Sequence, residues 1–315
     1  SPPQSSPRPT PLSSLARGNG ADYSRKLAAA RESGTASVQR FHGLSRLSDL
    51  PAPEGGSPNQ KGTCNENGTG NTGDDARGQG HGTWLQFPSA DVAEVMGASG
   101  YDWVAVDMEH GAFTRAVLPD VFRAIERGGS TPFARIAQAE LRPIKDALDS
   151  GAQGLIFPMI ESREQLDRAI SLSLYPDAGG SRGVGYSRAN MYGRNFDAYR
   201  ENAAKDVLLV AQIEHIRAVA QLDGILSHPR LDAIMVGPYD LSGSMGLTGQ
   251  FDHPDFVAVM DRINESCQRH GMAMGNHVVQ PEPERLAKCI ADGYKFIAYG
   301  IDAVFLLHGC ACPER

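Results

Sequence analysis

From about Gly82 onward, short apolar runs alternate with amphipathic stretches along the chain. Thr83–Phe87 reads as a strand, and Ser89 is placed to cap a helix running to Ala98. Trp103–Asp107 predicts a strand followed by a helix over Val117–Arg127. Pro132–Arg135 pairs in the same way with Arg142–Ser150, and Gly154–Pro158 with Ser162–Ser173. Tyr175–Asn195 reads as a long loop. Val207–Glu214 is then a strand with a helix over Arg217–Leu226, and Ala233–Val236 a strand with a helix over Pro254–Arg269. Met272–Gly275 is a weak strand before a helix at Pro283–Ala291, and Phe296–Tyr299 is the eighth strand. Strands that are continuous apolar runs are parallel and covered on both faces. Eight of them alternating with helices predict an α/β fold, a (β/α)8 TIM barrel, over residues 82–315. A doubly wound open sheet is the second reading. It lacks the Gly-x-Gly-x-x-Gly turn that a dinucleotide fold places after its first strand.

Residues 1–81 follow no such rhythm. Ser1–Pro11 is rich in Ser and Pro, and Pro51–Gly80 is rich in Gly, Asn and Pro with almost no large apolar side chain. Such a tract buries too little surface to offset its ordering entropy, so it is expected to be a disordered extension. Tyr23–Ser33 is a plausible short helix within it. The absence of acidic residues before Asp22 resembles an organellar transit peptide, but no amphipathic stripe accompanies it. Asn67-Gly68-Thr69 matches a glycosylation acceptor by pattern alone.

The net charge of −7 over 315 residues, with no basic stripe, argues against nucleic acid as a partner. No apolar run reaches the roughly 18 residues of a membrane span. The five cysteines fit no zinc spacing and no disulfide framework, so a reducing, cytoplasmic setting is expected.

The candidate chemistry lies where the strands end. The run Trp103–Val106 stops at Asp107-Met108-Glu109-His110-Gly111, Val207–Ile213 stops at Glu214, and Ala233–Tyr239 stops at Asp240. Pro132-Phe133-Ala134 stops at Arg135. A barrel gathers these ends on one rim, with Pro158 from the fourth strand. Two carboxylates such as Glu214 and Asp240, with waters and a chelating substrate, suit a hard six-coordinate cation. Either could instead cap the helix that follows it; two after adjacent strands favour metal. His110 suits a general acid or base, and Asp107 could orient it or a metal-bound water. The alternative is a loop histidine bonded to a nearby carboxylate. Arg135 suits a developing enolate or a carboxylate, or else a structural salt bridge with Asp107 or Glu109. Asp149, at the end of a helix, reads on its own as a surface residue. Gly237-Pro238-Tyr239-Asp240-Leu241-Ser242 reads as a tight turn whose backbone N–H groups can hold a carboxylate. Arg182-Gly183-Val184-Gly185 in the long loop could shape the entrance. The barrel lysines, Lys145, Lys205, Lys288 and Lys295, all fall away from the rim, so a Schiff-base mechanism lacks its nucleophile.

Gly100-Tyr-Asp-Trp-Val-Ala-Val-Asp-Met-Glu-His-Gly111, Gln212-Ile-Glu214 and Gly237-Pro-Tyr-Asp-Leu-Ser242 together resemble the HpcH/HpaI aldolase / citrate lyase β-subunit superfamily, over about Gly82 to Leu306. The resemblance implies a barrel of the phosphoenolpyruvate/pyruvate-binding type. It implies a carbon–carbon lyase, a class II aldolase that needs Mg²⁺, Mn²⁺ or Co²⁺ and reversibly cleaves a 2-keto-4-hydroxy acid to pyruvate and an aldehyde. By resemblance Glu214 and Asp240 hold the metal, with Gln212 nearby, and Arg135 binds the pyruvate keto oxygen. His110 is the acid/base, supported by Asp107 and Asp149. The Gly237–Asp240 turn binds the carboxylate through the N–H groups of Tyr239 and Asp240. Homo-oligomers, often hexamers that exchange a last helix, are implied too, although the tail from Leu306 reads as too short for a full helix. Two other readings remain: a citrate-synthase-like or macrophomate-synthase-like enzyme that builds C–C bonds from a pyruvate or oxaloacetate enolate, and a non-catalytic pseudoenzyme, against which the complete set of rim residues argues.

Overall fold

The structure, a computed structural model, describes residues 80–310 and 312. The extension expected to be disordered, the expected Tyr23–Ser33 helix and the Asn67 pattern lie outside the described residues.

Eight parallel strands close into a barrel in sequence order: β1 (Gly80–Leu85), β2 (Trp103–Asp107), β3 (Thr131–Arg135), β4 (Gly154–Phe157), β5 (Leu208–Ile213), β6 (Ala233–Val236), β7 (Ala273–Val278) and β8 (Phe296–Ile301), with β8 pairing back onto β1. The helices between them are α1 (Ala90–Gly97), α2 (Leu118–Gly128), α3 (Leu141–Ser150), α4 (Arg163–Ser173), α5 (Phe196–Asp206), α6 (Ile216–Ala220), α7 (Leu222–Leu226), α8 (Pro238–Ser244), α9 (Pro254–His270), α10 (Pro283–Ala291) and α11 (Asp302–Gly309). Ser89 caps α1 as its sequence predicts, its Oγ accepting from the Val92 N–H at 3.3 Å.

Two apolar layers follow from the period-2 alternation of side chains along each strand. One lies between the sheet and the helices and includes Leu85, Val104, Val106, Ala134, Leu155, Phe157, Leu209 and Ile213. The other fills the barrel and includes Trp84, Trp103, Ala105, Phe133, Ile156, Val210, Met235 and Phe296. Trp103 stacks on Phe296 at 4.3 Å between ring centroids, with Phe133 tilted against both. Burying each of these side chains contributes on the order of 2–3 kcal/mol. Gly82 makes room for them: a Cβ there would lie 2.0 Å from the Trp103 indole.

The structure departs from the predicted elements in several places. β1 starts at Gly80, ahead of the expected Thr83 and of the expected barrel start at residue 82, and ends at Leu85, and β8 runs on to Ile301. The expected Arg217–Leu226 helix is two short ones, α6 and α7, meeting at Gln221. The Gly237–Ser242 turn is the start of α8, because Pro238 at the first helical position has no N–H to leave unpaired. The loop after α4 holds two 3₁₀ turns, and α5, unpredicted, follows it. β7 runs on through Asn276 and His277 to Val278. A final helix, α11, does form after β8, in eight residues. Among the described residues no helix is long and apolar enough to cross a membrane, and Cys267, Cys289, Cys310 and Cys312 are free thiols.

Candidate active site

The parity that points Trp103 and Phe133 inward also points Asp107 and Arg135 inward at the strand ends. Asp107 is fully buried. Its two oxygens take Arg135 Nε at 2.9 Å and Nη2 at 2.7 Å. Gln86 Nε2 adds a third hydrogen bond at 3.0 Å, and the backbone N–H groups of Glu109 and His110 donate to Oδ1 at 3.2 Å each. Burial would raise the Asp107 pKa, but the Arg135 guanidinium beside it outweighs that and holds the carboxyl below the usual range. Arg135 also lies 3.3 Å from Glu109 Oε2 and stacks on the Trp84 ring, 4.5 Å from its centroid. Gln86 is itself placed by Asp302, which accepts the N–H groups of Gln86 and Phe87 at 2.9 Å each.

Glu214 follows β5 and is buried. It does not cap α6: its oxygens accept from Gln212 Nε2 at 2.9 Å and from the Met159 N–H at 3.0 Å, while His215 caps the helix. Met159 reaches it with a φ of +52°, a backbone conformation that side chains other than glycine rarely adopt, and such strain clusters at functional sites. Gly237 lies directly against Glu214; a Cβ there would lie 2.4 Å from Oε1. Burial, with the Glu109 and Asp240 carboxylates nearby, pushes the Glu214 pKa up to about 7 against the pull of the Met159 N–H and Arg135. Asp240 is exposed, in the first turn of α8, where a carboxylate also suits the helix dipole.

Among the described residues no group of three or more His, Cys, Asp or Glu stands ready as a metal cluster. The residues present nevertheless fit a cation. Glu109, Glu214 and Asp240 press on one another electrostatically, and Gln212 Oε1 is buried without a partner. Two carboxylates with open positions for water and substrate are what a hard cation uses when it is not caged by protein alone.

His110 reaches the same loop, but Asp107 holds its backbone N–H and not its ring. The imidazole is 62 % exposed, with Nε2 3.9 Å from Glu109 Oε2. Asp149 does not join the cluster. It ends α3, toward the start of β4 and away from the strand C-termini, and pairs with Arg182 Nη2 at 2.8 Å and Lys145 Nζ at 3.1 Å. Arg182, expected near the entrance, is buried between Tyr175 and Tyr199.

Three inner-face residues escaped the sequence reading: Trp84, Gln86 and His277. His277 is half-buried on β7, its ring 5.6 Å from Trp84 and its Nε2 3.3 Å from the Gly300 carbonyl oxygen. Burial drives its pKa down to about 4, so the imidazole is neutral near pH 7. Strand parity was the available signal: Gln86 stands two positions after Trp84, and His277 two after the inward Gly275.

The family model described as HpcH/HpaI aldolase/citrate lyase matches residues 81–309. The 2-keto-3-deoxy-L-rhamnonate aldolase of Salmonella gallinarum is 37 % identical over 229 residues, covering 71 % of this chain and 83 % of its own. The 2-dehydro-3,6-dideoxy-6-sulfogluconate aldolase of Pseudomonas putida is 34 % identical over 226 residues, covering 72 % and 88 %. Among solved structures, an HpcH/HpaI aldolase/citrate lyase family protein from Burkholderia cenocepacia J2315 superposes with a TM-score of 0.70 at 32 % identity, covering 74 % of this chain and 91 % of its own. The citrate synthase SbnG superposes with a TM-score of 0.65 at 29 % identity, covering 74 % and 90 %.

Proposed function

This chain belongs to the HpcH/HpaI aldolase/citrate lyase family, and we propose that it is a divalent-metal-dependent aldolase that reversibly cleaves a 2-keto-4-hydroxy acid to pyruvate and an aldehyde. It is a carbon–carbon lyase, as its aldolase relatives are. The finer reading rests on one observation: an arginine clamped by Asp107 and a buried Glu214 with a pKa near 7 share a rim with Asp240.

Glu214 and Asp240 would hold the cation, with Gln212 beside them. When bound, a divalent cation there supplies a Lewis acid for the substrate's keto oxygen. Arg135 keeps its Nη1 donors without a partner among the described residues, so they can bind an oxygen on which negative charge develops. In cleavage the 4-hydroxyl proton is removed, the C3–C4 bond breaks and the aldehyde leaves. The electron pair stays on the pyruvate fragment as its enolate, and C3 then takes a proton. His110 is the residue of the rim loop whose imidazole would carry these protons. The N–H groups of Tyr239 and Asp240, in the first turn of α8, would bind the keto acid's carboxylate.

The likeness to citrate synthase SbnG favours one other reaction on the same scaffold, a citrate-synthase-like or macrophomate-synthase-like C–C bond formation from a pyruvate or oxaloacetate enolate. Pyruvate release from 2-keto-3-deoxy sugar acids, measured by coupling to lactate dehydrogenase with and without EDTA, tests the proposal. Metal-dependent release supports it. No release with Mg²⁺, Mn²⁺ or Co²⁺, together with turnover of oxaloacetate, overturns it in favour of condensation.

A further inference from the structure

The four cysteines among the described residues are of two kinds. Cys267 on α9 and Cys289 on α10 belong to the core. Burial pushes the Cys267 thiol up to about 12. Burial also raises the Cys289 thiol, whose Sγ accepts from Asn276 Nδ2 at 3.3 Å. Buried thiols kept neutral in this way are inert. Cys310 and Cys312 are exposed free thiols that belong to no core cluster. The Cys310 N–H donates to the Leu306 carbonyl oxygen at 2.8 Å, so its backbone closes α11, but its thiol has no such task.

The exposed pair stands one residue apart, as Cys310-Ala311-Cys312. Two chain steps reach at most about 7 Å, and bridged cysteines usually lie about 4.4–6.8 Å apart at Cα. The pair can therefore close on itself without any movement of the barrel. A bridge this short encloses too little chain to stabilise a fold, because that effect grows with loop length. An exposed bridge is also of the readily reduced kind. Spacing and exposure together suit electron exchange and not stapling.

We propose that Cys310 and Cys312 are a redox-active dithiol, oxidised to an internal disulfide by low-molecular-weight disulfides such as oxidised glutathione. The thiolate of one cysteine attacks a sulfur of the small disulfide. The S–S bond of that molecule breaks, a mixed disulfide forms, and one small thiolate leaves and is protonated by water. The second cysteine, as its thiolate, attacks the protein sulfur of the mixed disulfide. The internal bridge forms and the other small thiolate leaves. Two protein thiols are oxidised while one disulfide is reduced to two thiols, so atoms, protons and electrons balance. The second step outruns a further adduct because a thiol one residue away has a far higher effective concentration than one in solution. The proposal is independent of the aldolase reading, since neither cysteine is among the residues that the proposed cleavage uses.

The test incubates the full chain in mixtures of reduced and oxidised glutathione, alkylates the remaining thiols and digests with trypsin. No Lys or Arg lies between Lys295 and Arg315, so one peptide carries both cysteines and no other. Mass spectrometry should find that peptide two hydrogens lighter, free of glutathione and of alkyl label, and dithiothreitol should reverse the change. Cys310→Ser and Cys312→Ser should each stop at the mixed disulfide, with one glutathione on the cysteine that remains. Thiols that persist at every glutathione ratio, glutathione adducts that accumulate on the wild type, or two chains joined through these cysteines would each overturn the proposal.

Discussion

Asp107 and Arg135 stand opposite one another in the β2–β3 register, and their side chains meet at two points, 2.9 and 2.7 Å apart. A guanidinium held by two of its nitrogens keeps one orientation, so its remaining donors are aimed before any substrate arrives. The carboxylate is in turn fixed by Gln86, which Asp302 positions from the far side of β1. The sequence allowed two roles for Arg135, an enolate ligand or a partner in a salt bridge. The structure contains the salt bridge, and the bridge is compatible with the first role because it leaves Nη1 out.

Lysine should not replace this arginine. An ammonium is a point charge and cannot span Asp107 and a substrate oxygen in a fixed fork. Arg135→Lys is expected to fold and to lower kcat/KM by on the order of 10²-fold. Pyruvate release measured beside a thermal melt checks it. Activity within a few-fold of wild type would leave Arg135 a structural role only.

Two groups that both feel the Arg135 charge bias metal-free stability in opposite directions. Glu214 is raised from 4.5 to about 7, so between those values the folded state holds a proton that the unfolded chain has lost, and stability falls as pH rises. His277 is lowered from 6.5 to about 4, so between those values the unfolded chain holds the extra proton, and stability rises with pH. The windows overlap from 4.5 to 6.5 and the two slopes oppose. In EDTA, Glu214→Gln should melt at progressively higher temperature as pH goes from 4.5 to 6.5 relative to wild type, and His277→Asn at progressively lower. Parallel melting curves for all three proteins would mean that neither group is perturbed as described.

His110 is the exposed member of the site, and His277, with its pKa near 4, is neutral where the enzyme would work. His110→Ala is expected to lower kcat by on the order of 10²–10⁴-fold, the usual effect of losing a general acid or base. KM for the keto acid should change much less, because its proposed contacts are with Arg135 and the start of α8. Steady-state kinetics separate the two, and an unchanged kcat would assign the proton to another group.

β1 begins at Gly80 and every proposed site residue follows it. Deleting residues 1–78 is expected to leave pyruvate release within a few-fold of the full chain. Loss of soluble protein on that deletion would assign the upstream residues a part in the fold.

The barrel was legible because buried parallel strands read as unbroken apolar runs, and Trp103–Asp107 and Val207–Glu214 are such runs. The rim charges were legible because they interrupt those runs. What the pattern concealed were polar residues inside strands: β7 was cut short at Gly275 because Asn276 and His277 break its apolar run, although they continue the pairing with β8. α5 was hidden for the opposite reason. Only Ala203 of it is buried, so its sequence has no apolar stripe to find. Asp149 reads on its own as a surface residue, and only the family resemblance placed it with His110; within this chain it ends α3, and a helix that returns to begin the next strand ends at the other mouth of the barrel.

The electrophile is expected to be a cation and not an imine. An enolate of pyruvate needs a positive partner, and the common ones are a protonated Schiff base and a chelated divalent metal. Among the described residues Lys145 pairs with Asp149 and Lys288 with Asp292, both on helices; Lys205 is in α5, and Lys295 precedes β8. None stands at the C-terminal end of a strand, where an imine would have to form. EDTA should abolish pyruvate release, and Mg²⁺, Mn²⁺ or Co²⁺ should restore it. Glu214→Ala and Asp240→Ala should lose cation binding in calorimetry together with activity while keeping the barrel's cooperative melt, because residues on this rim serve function more than folding. Borohydride added with pyruvate should leave the protein's mass unchanged. A trapped pyruvate adduct, or full activity in EDTA, would remove Glu214 and Asp240 from the mechanism and return the search to a lysine.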